Sequence, residues 1–182
     1  MVAQGIRIRQ AVDSDAPGIA RVHVDSWRAT YADILPAEYL AALDYDRREA
    51  NWRPILADRR QIAFVAEDRH GRVVGFVSGG AERNGDTAYP GELYAIYLLE
   101  SCQGQGLGRG LVTALVEWFV SQGWQSMLLW VLEDNPSRGF YEALGGVRIK
   151  RETIAIGGTE LVEIAYGWSD IAPLTFTGLY HP

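Results

Sequence analysis

One uninterrupted stretch constrains the fold more than any other. "ELYAIYLL" (Glu92–Leu99) is followed by "ESCQGQGLGRG" and then by "LVTALVEWFVSQG". The first part is an apolar strand. The second holds four glycines at alternate positions, Gly104, Gly106, Gly108 and Gly110. With the end of the second, the third forms an amphipathic helix, "GLGRGLVTALVEWFVSQG", with Leu107, Leu111, Leu115, Trp118 and Phe119 on one stripe widened by Val112 and Val116. Gly123 is placed to end it. A nearly all-apolar run, "SMLLWVLE" (Ser126–Glu133), comes next and suits a strand covered on both faces. Strand, helix, strand in this order predicts a parallel crossover.

Around this unit the pattern is mixed. "IRIRQAV" (Ile6–Val12) alternates as a strand does. Asp13 or Ser14 is the expected cap of a first helix containing Ile19, Val22 and Trp27. Pro36 suits the first turn of a second helix through "PAEYLAALDYDRREANW". "QIAFVAED" and "RVVGFVSGGAE" flank "RHG" and read as a hairpin. "NPSRGFYEALGG" reads as a short helix, and "VRIKRETIAI" and "ELVEIAYGW" as a closing hairpin around "GGT". The expected order is one strand, two helices, three strands, helix, strand, helix, two strands. This is a mixed α/β sheet in a single domain over residues 6–168, with a C-terminal tail at 169–182.

Bulk properties narrow the function. The chain has 182 residues and a formal net charge of −6. Nucleic-acid binders usually carry a basic surface, so no nucleic acid is expected as a partner. No apolar run approaches the roughly 20 residues of a membrane span, and "MVAQGIRIRQ" lacks the apolar core of a signal peptide. The expectation is a cytoplasmic protein with no membrane partner. Cys102 is the single cysteine, and His23, His70 and His181 stand at no metal-binding spacing. No metal is expected, and Cys102 is read as an inert small apolar residue.

Glycines at the start of a helix remove the Cβ atoms that would hold a ligand away. The helix offers unpaired N–H groups and the positive end of its dipole there, which suits phosphate oxygens. Two familiar glycine motifs fail. A Walker A loop needs a lysine that is missing here. A dinucleotide G-x-G-x-x-G needs glycine where Arg109 or Leu111 stands. What remains is Q-x-x-G-x-G, formed by Gln103, Gly106 and Gly108.

With "YAIYLLESCQGQGLGRGLV" ahead of "LLWVLEDNPSRGFYEALGG", the chain resembles the GNAT superfamily of acyl-coenzyme-A-dependent N-acyltransferases. The resemblance covers nearly all of Ile6–Trp168. It implies a mostly antiparallel central sheet with a splayed parallel strand pair, flanked by helices. It implies that backbone amides of Gln103, Gly104, Gln105, Gly106, Leu107, Gly108 and Arg109 hold the pyrophosphate of acetyl-CoA, the co-substrate. It implies a strand bulge near Tyr97, Leu98 and Leu99, with the Leu98 amide aimed at the thioester carbonyl. The pantetheine arm would lie where this strand and "LLWVL" part.

The resemblance also assigns Tyr141 as the acid that protonates the departing thiolate. A phenol with pKa about 10 stays protonated at neutral pH and can do so. Glu92 stands 11 residues before Gln103, the family's offset for a general base acting directly or through water. It is equally readable as a charged residue at a strand entrance. Asn135 corresponds to a coenzyme contact, although it precedes Tyr141 by six residues where the family often has seven. The first two helices wall the acceptor pocket in the family. Trp27 and Tyr31 share a helix face there, either flanking an amine or filling the core.

The function implied is transfer of acetyl to a primary amine of a small molecule, by direct attack in a ternary complex. A non-catalytic acyl-CoA sensor and a protein N-terminal or lysine acetyltransferase are the alternatives. A homodimer is compatible with the family's habit.

Overall fold

The computed structural model describes residues 5–175. Seven strands form one sheet in the order β1-β2-β3-β4-β5-β7-β6. In chain order they are β1 (Arg7–Gln10), β2 (Gln61–Glu67), β3 (Val73–Ala81), β4 (Gly91–Leu98), β5 (Met127–Leu132), β6 (Val147–Ile156) and β7 (Thr159–Trp168). Only β4 and β5 run parallel. Helices α1 (Ala16–Thr30), α2 (Ala37–Ala41) and α3 (Tyr45–Ala57) precede β2. Helix α4 (Leu107–Ser121) crosses from β4 to β5, and α5 (Arg138–Ala143) follows β5. This is the mixed, mostly antiparallel sheet with one parallel pair that the sequence implied. Among the described residues, no helix is long and apolar enough to cross a membrane.

The two faces of the sheet hold separate cores. Leu111, Leu115 and Phe119 of α4 are fully buried against Met127, Leu129 and Tyr166. On the opposite face, Ile19 and Val22 of α1 and Trp52 of α3 pack on Val65 and Phe76. A third cluster joins Tyr31, Leu35, Leu40 and Leu132. Beyond β7, Ile171 and Leu174 return to the α4-side core, where the Leu174 carbonyl accepts a hydrogen bond from Thr113 Oγ1 at 3.0 Å. The rest of the tail, including His181, lies outside the described residues.

Three local expectations are corrected. The first helix starts after a 3₁₀ turn at Asp13–Asp15, so Asp15 takes the cap position with Pro17 in the first turn. Asp15 is drawn there by Arg9, which bonds both its oxygens at 2.7 and 2.8 Å. The expected second helix is two helices. Asp44 adopts an extended backbone and its carboxylate accepts from the Arg47 amide at 2.8 Å, restarting the helix as α3.

The third correction concerns the bulge in β4. Its register against β3 is regular from Ala95 to Leu98 and breaks between Ala95 and Leu93, leaving Tyr94 as the extra residue. The bulge therefore sits three to five residues ahead of the expected Tyr97–Leu99. Leu93 packs in the α4-side core while Ala95 and Tyr97, of the same parity, face α1. An inserted residue produces that change of face.

Asp68 closes the β2–β3 turn by accepting from the His70 and Arg72 amides at 2.8 and 3.0 Å. The Arg72 amide is the main cause that its pKa drops from 3.8 to about 2. A depressed carboxylate stabilises the fold above its unfolded value and ceases to do so as pH falls through the folded one. The melting temperature is thus expected to fall as pH drops from 3.8 towards about 2. Asp68→Asn should shallow that fall in a circular-dichroism titration. An unaltered acid slope in the variant would refute this.

Candidate active site

The parting of β4 and β5 creates the site. The two strands are paired only over Gly91–Leu93 and Met127–Leu129. Beyond that they separate, and a cavity of about 510 Å³ opens between them. Gly104, Gly106, Phe140 and Tyr141 line it, as do Trp27, Tyr31, Trp130 and Glu163. The cavity therefore reaches from the glycine loop to the helical face carrying α1 and α2. Its volume is that of a small-ligand site.

The glycine loop is built to present amides. Gly106 has φ 81° and caps α4, and Gly104 has φ 71°. A Cβ at either would meet open space, so only the backbone conformation requires glycine there. At Gly108 the reason differs, because a Cβ would stand 3.2 Å from the Phe140 ring. The first backbone bond at the helix start is Gly110 N–H to the Gly106 carbonyl, at 3.1 Å. Among the described residues, the amides of Gly104, Gln105, Gly106, Leu107 and Gly108 thus donate to no backbone carbonyl. The run starts one residue later than expected. The Gln103 amide turns inward to the Glu100 carbonyl at 3.1 Å. The Leu107 side chain is buried in the core, and Gln105 Nε2 donates to the Ser101 carbonyl at 3.0 Å. Arg109 lines the cavity.

The end of β4 presents backbone to the cavity. The Leu99 amide bonds the Val74 carbonyl of β3 at 3.0 Å. Strand alternation then turns the Leu98 N–H and C=O away from β3, towards the gap left by β5. The Leu98 carbonyl accepts from Gln103 Nε2 at 3.1 Å and from Ser26 Oγ at 3.4 Å. Gln103 therefore ties the glycine loop to the strand end through its side chain. The Tyr97 side chain points towards α1, where its hydroxyl accepts from Trp27 Nε1 at 2.9 Å.

Tyr141 on α5 borders the cavity at the parting. Among the described residues its hydroxyl has no hydrogen-bond partner, while its ring packs against Phe140 and Tyr166. Burial raises its pKa well above the usual phenol value, with the neighbouring Tyr31 adding to the shift. The hydroxyl is therefore fully protonated at neutral pH. Asn135 is buried and donates from Nδ2 to the Tyr31 hydroxyl at 3.0 Å, and its Oδ1 accepts from the Ser137 amide at 2.7 Å. Its amide fastens the α5 loop to α1.

Trp27 and Tyr31 meet edge to face, with ring centroids 5.0 Å apart, and both line the cavity. His23 stacks on Tyr97 at 5.2 Å and accepts from Trp52 Nε1 at 3.2 Å. Burial lowers its pKa to about 3, so it is neutral.

Glu92 is 1% exposed and does not line the cavity. Both its oxygens are held by Arg83, which donates from Nε at 3.0 Å, from Nη2 at 2.5 Å and from its backbone amide at 3.1 Å. The carboxylate that does line the cavity is Glu163 of β7, for which no role follows from the sequence motifs. A signal for it exists. Glu163 stands in the row Leu161, Glu163, Ala165, which is otherwise apolar and faces the α1 side.

Residues 24–146 match the model of the Acetyltransferase (GNAT) family. The chain is 43% identical over 169 residues to the uncharacterized N-acetyltransferase YuaI of Bacillus subtilis, covering 93% of this chain and 96% of that one. It is 29% identical over 146 residues to the L-methionine sulfoximine/L-methionine sulfone acetyltransferase of Pseudomonas aeruginosa, covering 76% and 78% respectively. In fold it resembles a GCN5-related N-acetyltransferase of Rhodopseudomonas palustris, with a TM-score of 0.71 at 22% identity over 92% of this chain and 97% of that one.

Proposed function

The chain belongs to the Acetyltransferase (GNAT) family, and from that premise we propose that it transfers the acetyl group of acetyl-CoA to a primary amine of a small molecule. One observation carries the reading. A run of backbone amides from Gly104 to Gly108, unengaged by other backbone, opens on a cavity that continues past the strand parting to Tyr141.

The pyrophosphate of acetyl-CoA sits on those amides and at the positive end of α4. The pantetheine arm follows the gap between β4 and β5. The Leu98 N–H donates to the thioester oxygen and stabilises the oxyanion that develops there. The amine attacks the carbonyl carbon, a C–N bond forms, and the C–S bond breaks. Tyr141 gives its proton to the sulfur. No covalent enzyme intermediate is needed, and positioning supplies much of the acceleration. The acceptor's ammonium must first lose a proton. Glu92 does not line the cavity, so a proton taken by it travels through water.

The aromatic side chains of Trp27, Tyr31 and Trp130 in the cavity wall support a small amine as acceptor. The P. aeruginosa relative, named for two small amino-acid substrates, points the same way.

The test is calorimetry with acetyl-CoA, followed by thiol release against a panel of small amines that includes L-methionine sulfone. Binding with turnover of at least one amine is expected. Binding with no turnover of any amine would favour a non-catalytic acyl-CoA sensor, and turnover confined to peptides a protein acetyltransferase. Absence of acetyl-CoA binding would reject the reading.

A further inference from the structure

Resting on that reading of the site, we infer that Glu163 is the residue that receives the acceptor's ammonium group and takes its proton. The acceptor class is accordingly a small cationic amine.

The argument begins with placement. Leu132 of β5 faces Glu163 of β7, and Trp130 faces Ala165. Trp130 and Glu163 are thus diagonal neighbours on one face, about 7–8 Å apart along the backbone. That face carries α1 and α2, since Leu132 and Leu161 cluster with Tyr31 and Leu40. Glu163 is thereby a carboxylate in the wall of the cavity, on the sheet face that carries α1.

The second observation is that Glu163 is uncommitted. Among the described residues its carboxylate makes no hydrogen bond and no ion pair, whereas Glu92 has both oxygens on Arg83. The carboxylate is half-buried and lines the cavity, so an ammonium group can pair with it without displacing a protein partner.

The electrostatic surroundings suit a base. Glu163 is half-buried, and desolvation raises its pKa, with Glu152 of β6 and Glu92 of β4 adding to the rise and Arg83 opposing it. From α1 the facing group is the Tyr31 hydroxyl. A carboxylate with a raised pKa is a better proton acceptor than an ordinary one. The ammonium N–H proton passes to a Glu163 oxygen, freeing the nitrogen lone pair for attack. After the C–N bond forms, the second N–H proton restores Tyr141, which has protonated the departing sulfur. Glu163 then releases its proton to solvent, so that ammonium and thioester give amide, thiol and one proton.

The test compares Glu163→Gln, Glu163→Asp and Glu92→Gln with the parent. Thiol release is measured from pH 5 to 9 with L-methionine sulfone, phenethylamine and agmatine. Glu163→Gln is expected to lower kcat/KM for the amine roughly 100-fold and to move the acidic limb of the pH profile up towards the amine's own pKa. Acetyl-CoA affinity by calorimetry should not change. Glu163→Asp should restore part of the rate and return the limb towards the parent's position, which a merely structural role would not do. Parent-like kcat/KM in Glu163→Gln, or displacement of the acidic limb only in Glu92→Gln, would overturn the assignment while leaving the acetyltransferase reading intact. If the parent binds acetyl-CoA but turns over none of these amines, the assignment of a small cationic acceptor falls. If it binds no acetyl-CoA, the underlying reading falls with it.

Discussion

Tyr141→Phe is expected to lower turnover about 100-fold while leaving the affinity for acetyl-CoA nearly unchanged. The hydroxyl has no partner among the described residues and borders the cavity at the point where β4 and β5 separate. Burial keeps it protonated, so its proton is available to a thiolate at any pH where the amine reacts. Phenylalanine retains the ring contacts with Phe140 and Tyr166, whose centroids lie 5.4 and 6.1 Å away. The fold should therefore survive, and the loss should appear in kcat rather than in KM for acetyl-CoA. Steady-state kinetics at saturating acetyl-CoA, with calorimetry on the same variant, separates the two. A variant that turns over like the parent would remove Tyr141 from the reaction.

Gly79→Ala is expected to cost about 1–3 kcal/mol of stability and to lower activity beyond what the stability loss accounts for. A Cβ at this position would lie 2.7 Å from the Glu92 carbonyl oxygen and 3.0 Å from both methyls of Leu115. The nearest of those atoms is backbone of the adjacent strand and cannot rotate away. Gly79 is also the residue at which the β3–β4 register shifts. Pushing the strands apart there disturbs the bulge at Tyr94, and with it the turn that aims the Leu98 amide at the cavity. Urea denaturation checks the first part, and turnover at a temperature well below the variant's melting point checks the second. An unchanged urea midpoint would show that β4 accommodates the methyl group.

Both expectations draw on features visible at different levels. Tyr141 could be named from its place in "NPSRGFYEALGG", and its protonation follows from ordinary phenol chemistry. Its freedom from hydrogen bonds could not. Gly79 looks like any strand glycine in "VSGGAE" until the opposite strand is present. Asn135 lines the cavity, and its amide donates to Tyr31, 104 residues away in the chain. That partnership has no local signal, because nothing near Asn135 in sequence specifies which side chain α1 will bring to it.

What the sequence determined by itself is the part of the protein governed by short-range physics. Alternation of apolar residues forms β4, a 3.6-residue stripe forms α4, and glycines between them allow positive φ at Gly104 and Gly106. Those choices fix the crossover, and with it the family and the glycine loop. Tertiary structure decided what needs two distant segments at once. The bulge lies at Tyr94 because Gly79 admits a close approach of β4 there. Arg83 reaches Glu92 and occupies its oxygens. The closing hairpin carries Glu163 into the wall opposite α1 and leaves it unpaired. A carboxylate's role depends on which charges and how much water surround it, and those are set by contacts that only the folded chain makes.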